Sequence, residues 1–229
     1  MKQAAGETTK RRRRRPRLPC AGPHLERLLW RVGIEHVAGV DEVGMGPLAG
    51  PVVAAAVVLP RDAALEGVAD SKILTARERE RLDVEIRTRA LAIGLAVVEP
   101  DEIDRLNIYY AAMKAKRAAL TALAPLVPGF VLVDGREIPS LAIPQSAYPK
   151  GDGFVLSIAA ASIVAKVYRD AIMRRLDADH PGYGFGLHMG YATAMHLRAL
   201  RERGPSPIHR RSFAPLASAA QLSLEGISR

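Results

Sequence analysis

The stretch from Pro51 to Pro60, PVVAAAVVLP, constrains the fold more than any other segment. Eight apolar residues between two prolines are strand-sized. A strand with no polar side chain on either face must be covered on both, inside a sheet flanked by helices. The preceding segment HVAGVDE also reads as a strand and is joined to it through a glycine-rich turn, which makes the pair a hairpin. That first strand ends in adjacent acids, Asp41 and Glu42. Neighbouring carboxylates at a strand end repel and resist burial unless something positive, usually a metal ion, sits between them.

Helix and strand signals alternate along the remainder. Leu25, Leu28, Leu29 and Val32 recur at helical spacing before Gly33, so a short amphipathic helix packs against the sheet. Thr75 and Glu78 form a capping-box pattern ahead of Leu82 and Ile86, and the strand LAIGLAVVEP follows. A single helix is expected to begin near Asp101 and to end before Pro125. Ile103, Leu106, Met113 and Leu120 are among its apolar positions, with Lys114, Lys116 and Arg117 interleaved. FVLVDG reads as a buried strand, then a proline-bearing loop, the long helix SIAAASIVAKVYRDAIMRRL and a last helix in YATAMHLRALRERG. The order points to α/β: a mixed central sheet flanked by helices, with a helical C-terminal part.

Length and charge refine this picture. The 229 residues suit one catalytic-size domain, placed at 24–216, with a basic tail at 1–23 and a flexible tail at 217–229. The formal charge is +9, but residues 1–17 supply +7 of it, so the high isoelectric point describes the tail. KRRRRRPR reads either as a nucleic-acid arm or as an unstructured charge block. The lone Cys20 excludes an internal disulfide, and no apolar run approaches the ~20 residues of a membrane span. No apolar segment follows the basic start. A cytoplasmic monomer is expected.

Four acids border elements: Asp41 and Glu42 after the first strand, Asp134 after FVLV, and Asp152 in KGD before the long helix. Ligand sites gather beyond strand ends in open α/β sheets, and oxygen-only ligands suit Mg²⁺ or Mn²⁺. Taken singly, Glu42 also reads as a solvated strand end and Asp134 as the start of a DG turn. Adjacent strand residues point to opposite faces, so Asp41 and Glu42 share a site only where the pleat breaks. The turn at Gly44 and Gly46 is the expected break. The same glycines would let backbone amides approach a sugar or phosphate.

In order and spacing, GVDEVGMGPLAGPVVAAAV, DSKIL, LNI, VLVDG, KGD, SIAAASIVAKVYRD, YGFGLHMGY and HRRSF resemble the ribonuclease HII family over roughly residues 25 to 216. The resemblance implies a ribonuclease H-like fold and a metal-dependent endonuclease that cuts the RNA strand of RNA:DNA hybrids. It also implies incision 5′ of single ribonucleotides in duplex DNA. Carried over by position, the family's catalytic and metal-binding acids fall on Asp41, Glu42, Asp134 and Asp152. Its two-metal hydrolysis needs no side-chain nucleophile.

The family's glycine-arginine-glycine turn, here Gly44-Met45-Gly46, would sense the ribose 2′-hydroxyl through backbone with help from Tyr191. Lys72, Lys150, Lys166 and Arg169 are the basic substrate-binding candidates, with Arg210 and Arg211 behind them. Arg169 with Asp170 reads equally as an anchor of helix to sheet. Departures from the family pattern are Met45 for its arginine, Ile73 and Met189 for lysines, and Ala192 for a proline that would steady Tyr191. The first three remove positive charge, which implies weaker phosphate contacts. Where the family binds a replication sliding clamp it uses its C-terminus, here ASAAQLSLEGISR.

Overall fold

In the computed structural model, residues 20–63 and 65–217 are described. The basic block at 1–17 and the clamp segment, apart from Ala217, lie outside them. Strand β1 (Val37–Val43) pairs antiparallel with β2 (Val52–Val58), giving the expected hairpin. β2 continues antiparallel to β3 (Ala92–Val98), while β4 (Phe130–Asp134) and β5 (Gln145–Tyr148) run parallel to β1, so the order is β3-β2-β1-β4-β5. Every residue of β2 is fully buried, as its composition requires.

Two helices cover the sheet. α4 (Ile108–Thr121) packs its alanines on one face against Val40, Ala54, Ala56 and Val58. α5 (Leu156–Asp179) covers the other with Ala159, Ala160 and Ile163. Its approach is close enough that a Cβ on Gly39 would lie 2.1 Å from the Ser157 carbonyl carbon, so only glycine fits there. α2 (Ala76–Arg89) begins with the expected capping box between Thr75 and Glu78 and lies against α5. The short α6 (Phe185–His188) and α7 (Ala194–Arg203) complete the helical C-terminal part. Among the described residues no helix is long and apolar enough to cross a membrane.

Several expectations are corrected. The helix expected from Asp101 breaks into α3 (Pro100–Leu106) and α4, because Asn107 takes φ 65° and its side chain accepts from the Tyr109 and Tyr110 N–H groups as an N-cap. The proline-bearing loop contains β5, a four-residue edge strand between Pro144 and Pro149. In α1 (His24–Arg31) the apolar face is narrower than expected: Leu28 is 55% and the following Val32 75% exposed. The helix docks through Leu25, Leu29 and Trp30, and through Glu26, whose buried carboxylate accepts from Ser157 N (2.8 Å) and Oγ (2.6 Å). Ala21 and Gly22, placed in the tail, bond to Val68 and Phe154 and belong to the fold.

Candidate metal centre

β1 and β4 pair in parallel up to Val40 opposite Val133, and beyond that point their carboxyl ends part. The turn at Gly44 and Gly46, the expected break of the pleat, comes too late to bring Asp41 and Glu42 to one face: both stay in β1, opposite Ala55 and Ala54, and the strand ends only after Val43. They therefore point to opposite faces. Asp41 faces α5, where the Ser162 hydroxyl donates to it, and Glu42 faces α4, where it meets Lys116. The two carboxylates meet around the open end of the strand pair rather than across a kink. Asp134 ends β4 at the same place, and Asp152 arrives on a 3₁₀ turn, Gly151–Gly153, ahead of α5.

The four acids feel one another. Asp41 is buried, and its carboxyl is pushed well above the usual range by burial first, then by Glu42 and Asp134. Asp134 is raised by burial, then by Asp152 and Glu42. Its Oδ1 is buried without a hydrogen-bond partner. Ser71 and Ser162 support Asp41: their hydroxyls lie 2.9 Å apart, and since a carboxylate only accepts, Ser162 donates to Asp41 and Ser71 to Ser162. Lys72 reaches Asp152 at 3.2 Å while its side chain remains largely exposed.

One cation in this cluster was not foreseen from sequence. Lys116, 1% exposed on α4, places its Nζ 2.6 Å from Glu42 Oε2 and 2.7 Å from the Asp134 carbonyl oxygen. A lysine in an amphipathic helix ordinarily reads as solvated, and only the docking of α4 beneath the ends of β1 and β4 reveals it. The donor set fits a hard divalent ion: oxygen atoms only, crowded acids whose ionisation is resisted, and an orphaned Asp134 Oδ1. Among the described residues no three of these acids already stand as ligands of one ion, so loading would draw them inward.

Beside the acids runs the turn Gly44-Met45-Gly46, held from behind by two fully buried arginines. Arg169 donates to the carbonyls of Pro51 (2.9 Å), Met189 (3.1 Å) and Ala49 (3.3 Å). Arg210 donates to those of Gly44 (2.6 Å), Gly50 (2.9 and 2.8 Å) and Met45 (3.1 Å). Arg169 thus spends its guanidinium inside the protein, and the direct substrate contact expected of it gives way to positioning. Asp170 pairs instead with Lys166 (2.7 Å) and Arg79 (3.9 Å). Lys150 is exposed in a left-handed conformation next to Gly151. Gly44 has φ 94°, and a Cβ there would strike Arg169 Nε at 2.4 Å, so the glycine makes room for the arginine. A Cβ on Gly46 would lie 3.8 Å from Tyr191 Cε1, which sets that half-exposed ring beside the turn. The Met45 side chain packs onto the apolar cluster under α4, and Ile73 is 45% exposed.

Behind Tyr191 lie three buried histidines, of which His209 and His196 are joined by a hydrogen bond. Ser206 N–H donates to His209 Nδ1 at 2.9 Å, so His209 Nε2–H donates to His196 Nε2 at 3.0 Å, and His196 Nδ1–H donates to the Tyr191 carbonyl at 2.9 Å. His188 receives Gly190 N–H on Nδ1. These bonds steady the Tyr191 main chain although Ala192 follows it.

Comparisons with known proteins bear on the family and the fold. The family model for ribonuclease HII matches residues 38–216. The ribonuclease HII of Anaeromyxobacter sp. (strain Fw109-5) is 54% identical over 195 residues, which cover 85% of this chain and 62% of that protein, so the match spans less than two thirds of the relative's length. Among solved structures, ribonuclease H2 from Pyrococcus horikoshii OT3 superposes with a TM-score of 0.69 at 26% identity, covering 82% of this chain and 98% of that one. The PCNA:RNase HII complex from Archaeoglobus fulgidus gives a TM-score of 0.66 at 27% identity, covering 76% and 93%. On the span of the family match, this chain belongs to the ribonuclease HII family and has its mixed, helix-flanked α/β fold.

Proposed function

We propose that the protein is a metal-dependent endonuclease that hydrolyses the RNA strand of RNA:DNA hybrids and incises 5′ of single ribonucleotides in duplex DNA. The observation that supports this most is the gathering of Asp41, Glu42, Asp134 and Asp152 next to a turn whose Gly44 and Met45 carbonyls the buried Arg210 pulls inward. Bound Mg²⁺ or Mn²⁺ would activate water and stabilise the leaving 3′ oxygen. Asp41, Glu42, Asp134 and Asp152 would hold it. With the carbonyls engaged behind, Gly44 to Gly46 offers its other backbone face to the sugar, and the 2′-hydroxyl is what separates RNA from DNA there. Tyr191 would pack on the neighbouring sugar, while Lys72 and Lys150 supply exposed positive charge for phosphates.

Cleavage of a continuous RNA:DNA hybrid in Mg²⁺ or Mn²⁺, blocked by chelation and by Asp134→Asn, tests the reading; cleavage that survives both treatments would contradict it. A sliding clamp is a proposed partner, because the Archaeoglobus fulgidus relative was solved in complex with PCNA.

A further inference from the structure

The acid cluster holds a charge that a metal site of oxygen ligands does not need. Lys116 is sealed from water, and a buried ammonium persists only against a counter-charge. Its partners are Glu42 Oε2 and the Asp134 carbonyl oxygen, at 2.6 and 2.7 Å. Those are the two places where β1 and β4 meet the cluster on the α4 side. Its charge also acts on Asp41 and Asp134, opposing the rise in both. α4 cannot readily withdraw it, because Ala111, Ala112, Ala115 and Ala119 seat that helix against the sheet with no exposed surface.

We propose that Lys116 is a resident cation of the cluster: it occupies the position between Glu42 and the end of β4, so that the chain loads one divalent ion where two would otherwise enter. This rests on the metal-dependent reading above and specifies its stoichiometry. A second divalent ion ligated by Glu42 would sit within a few ångströms of the ammonium, where like charges in a poorly solvated site repel strongly. The lysine is a positioning residue: it is held beside the Glu42 carboxylate by ion pairing and by its hydrogen bond to the Asp134 carbonyl.

Mn²⁺ binding to the full chain, followed by electron paramagnetic resonance and calorimetry, tests this. The expected result is one Mn²⁺ per wild-type chain, two for Lys116→Met, and one for Lys116→Arg, which keeps the charge. The metal-free Lys116→Met protein should melt lower than wild type and gain more from added Mn²⁺, since its acids have lost their counter-ion. Two ions in the wild type, or one in all three proteins, would overturn the inference and leave the metal-dependent reading standing. No saturable Mn²⁺ binding in any of them would overturn both.

Discussion

Arg210 Nη2 donates to the Gly44 carbonyl at 2.6 Å across 166 residues of chain, so the segment HRRSF fixes the turn that lies beside the acids. Its second neighbour along the chain is fixed in turn: the Ser212 hydroxyl and N–H donate to Asp104 Oδ1 on α3. The turn is therefore a tertiary construction.

Arg210→Met should leave the carbonyls of Gly44, Met45 and Gly50 without their donor and cost about 3 kcal/mol, since hydrogen bonds from charged groups are worth ~1.5–3 kcal/mol each and some strain relaxes. Urea unfolding measures the loss. Arg210→Lys should recover only part of it, because an ammonium cannot reproduce the fork.

Met45→Arg returns positive charge to the turn. If that charge meets a phosphate in ground and transition states alike, KM falls while kcat stays nearly constant, and the salt dependence of binding steepens. Steady-state kinetics at two salt concentrations decides. A gain confined to kcat would place the arginine in the transition state.

The histidine relay makes stability depend on pH in the acid range. Burial, then His196, lowers His209 from 6.5 to about 4. A folded-state value below the unfolded one means that the contribution is complete above pH 6.5 and is lost as pH falls toward 4, by up to about 3 kcal/mol. Denaturation midpoints between pH 7 and 4 should show this slope, and His209→Gln should flatten it.

Asp41 has the opposite sign. Its folded value lies above the usual one, so folding is favoured most at low pH and the advantage is lost as pH rises through the raised value. Without metal, ionisation of Asp41 is opposed by burial first, then by Glu42 and Asp134. Asp41→Asn should stabilise the metal-free protein by about 1 kcal/mol or more while removing activity and the stabilisation by Mn²⁺. Calorimetric melting with and without metal measures both.

What sequence made legible follows from where each signal resides. Asp41, Glu42, Asp134 and Asp152 stand out because their sequence context reads as element ends, although β1 runs on through Asp41 and Glu42 to Val43, and β2 because its composition leaves it no exposed face. The break at Asn107 escaped because Leu106 and Met113 continue an apolar pattern that a single capping residue interrupts. β5 has four half-buried residues and no alternation to detect. Lys116, Glu26 and the two serines behind Asp41 were hidden for one reason: each is a polar residue on a helix or loop, whose burial is decided by a partner distant in sequence. The same holds for Arg169 and Arg210, whose charge pointed outward to phosphates and whose guanidiniums point inward to carbonyls.

The most direct measurement is incubation of a DNA duplex carrying one ribonucleotide, with its all-DNA twin, in Mg²⁺ or Mn²⁺, with the product ends mapped. The account predicts one cut 5′ of the ribose, leaving a 3′-hydroxyl and a 5′-phosphate, an intact twin, and no cut with Asp134→Asn. Equal cutting of both duplexes, or tight binding of the ribonucleotide duplex with no cut at any metal concentration, would contradict it.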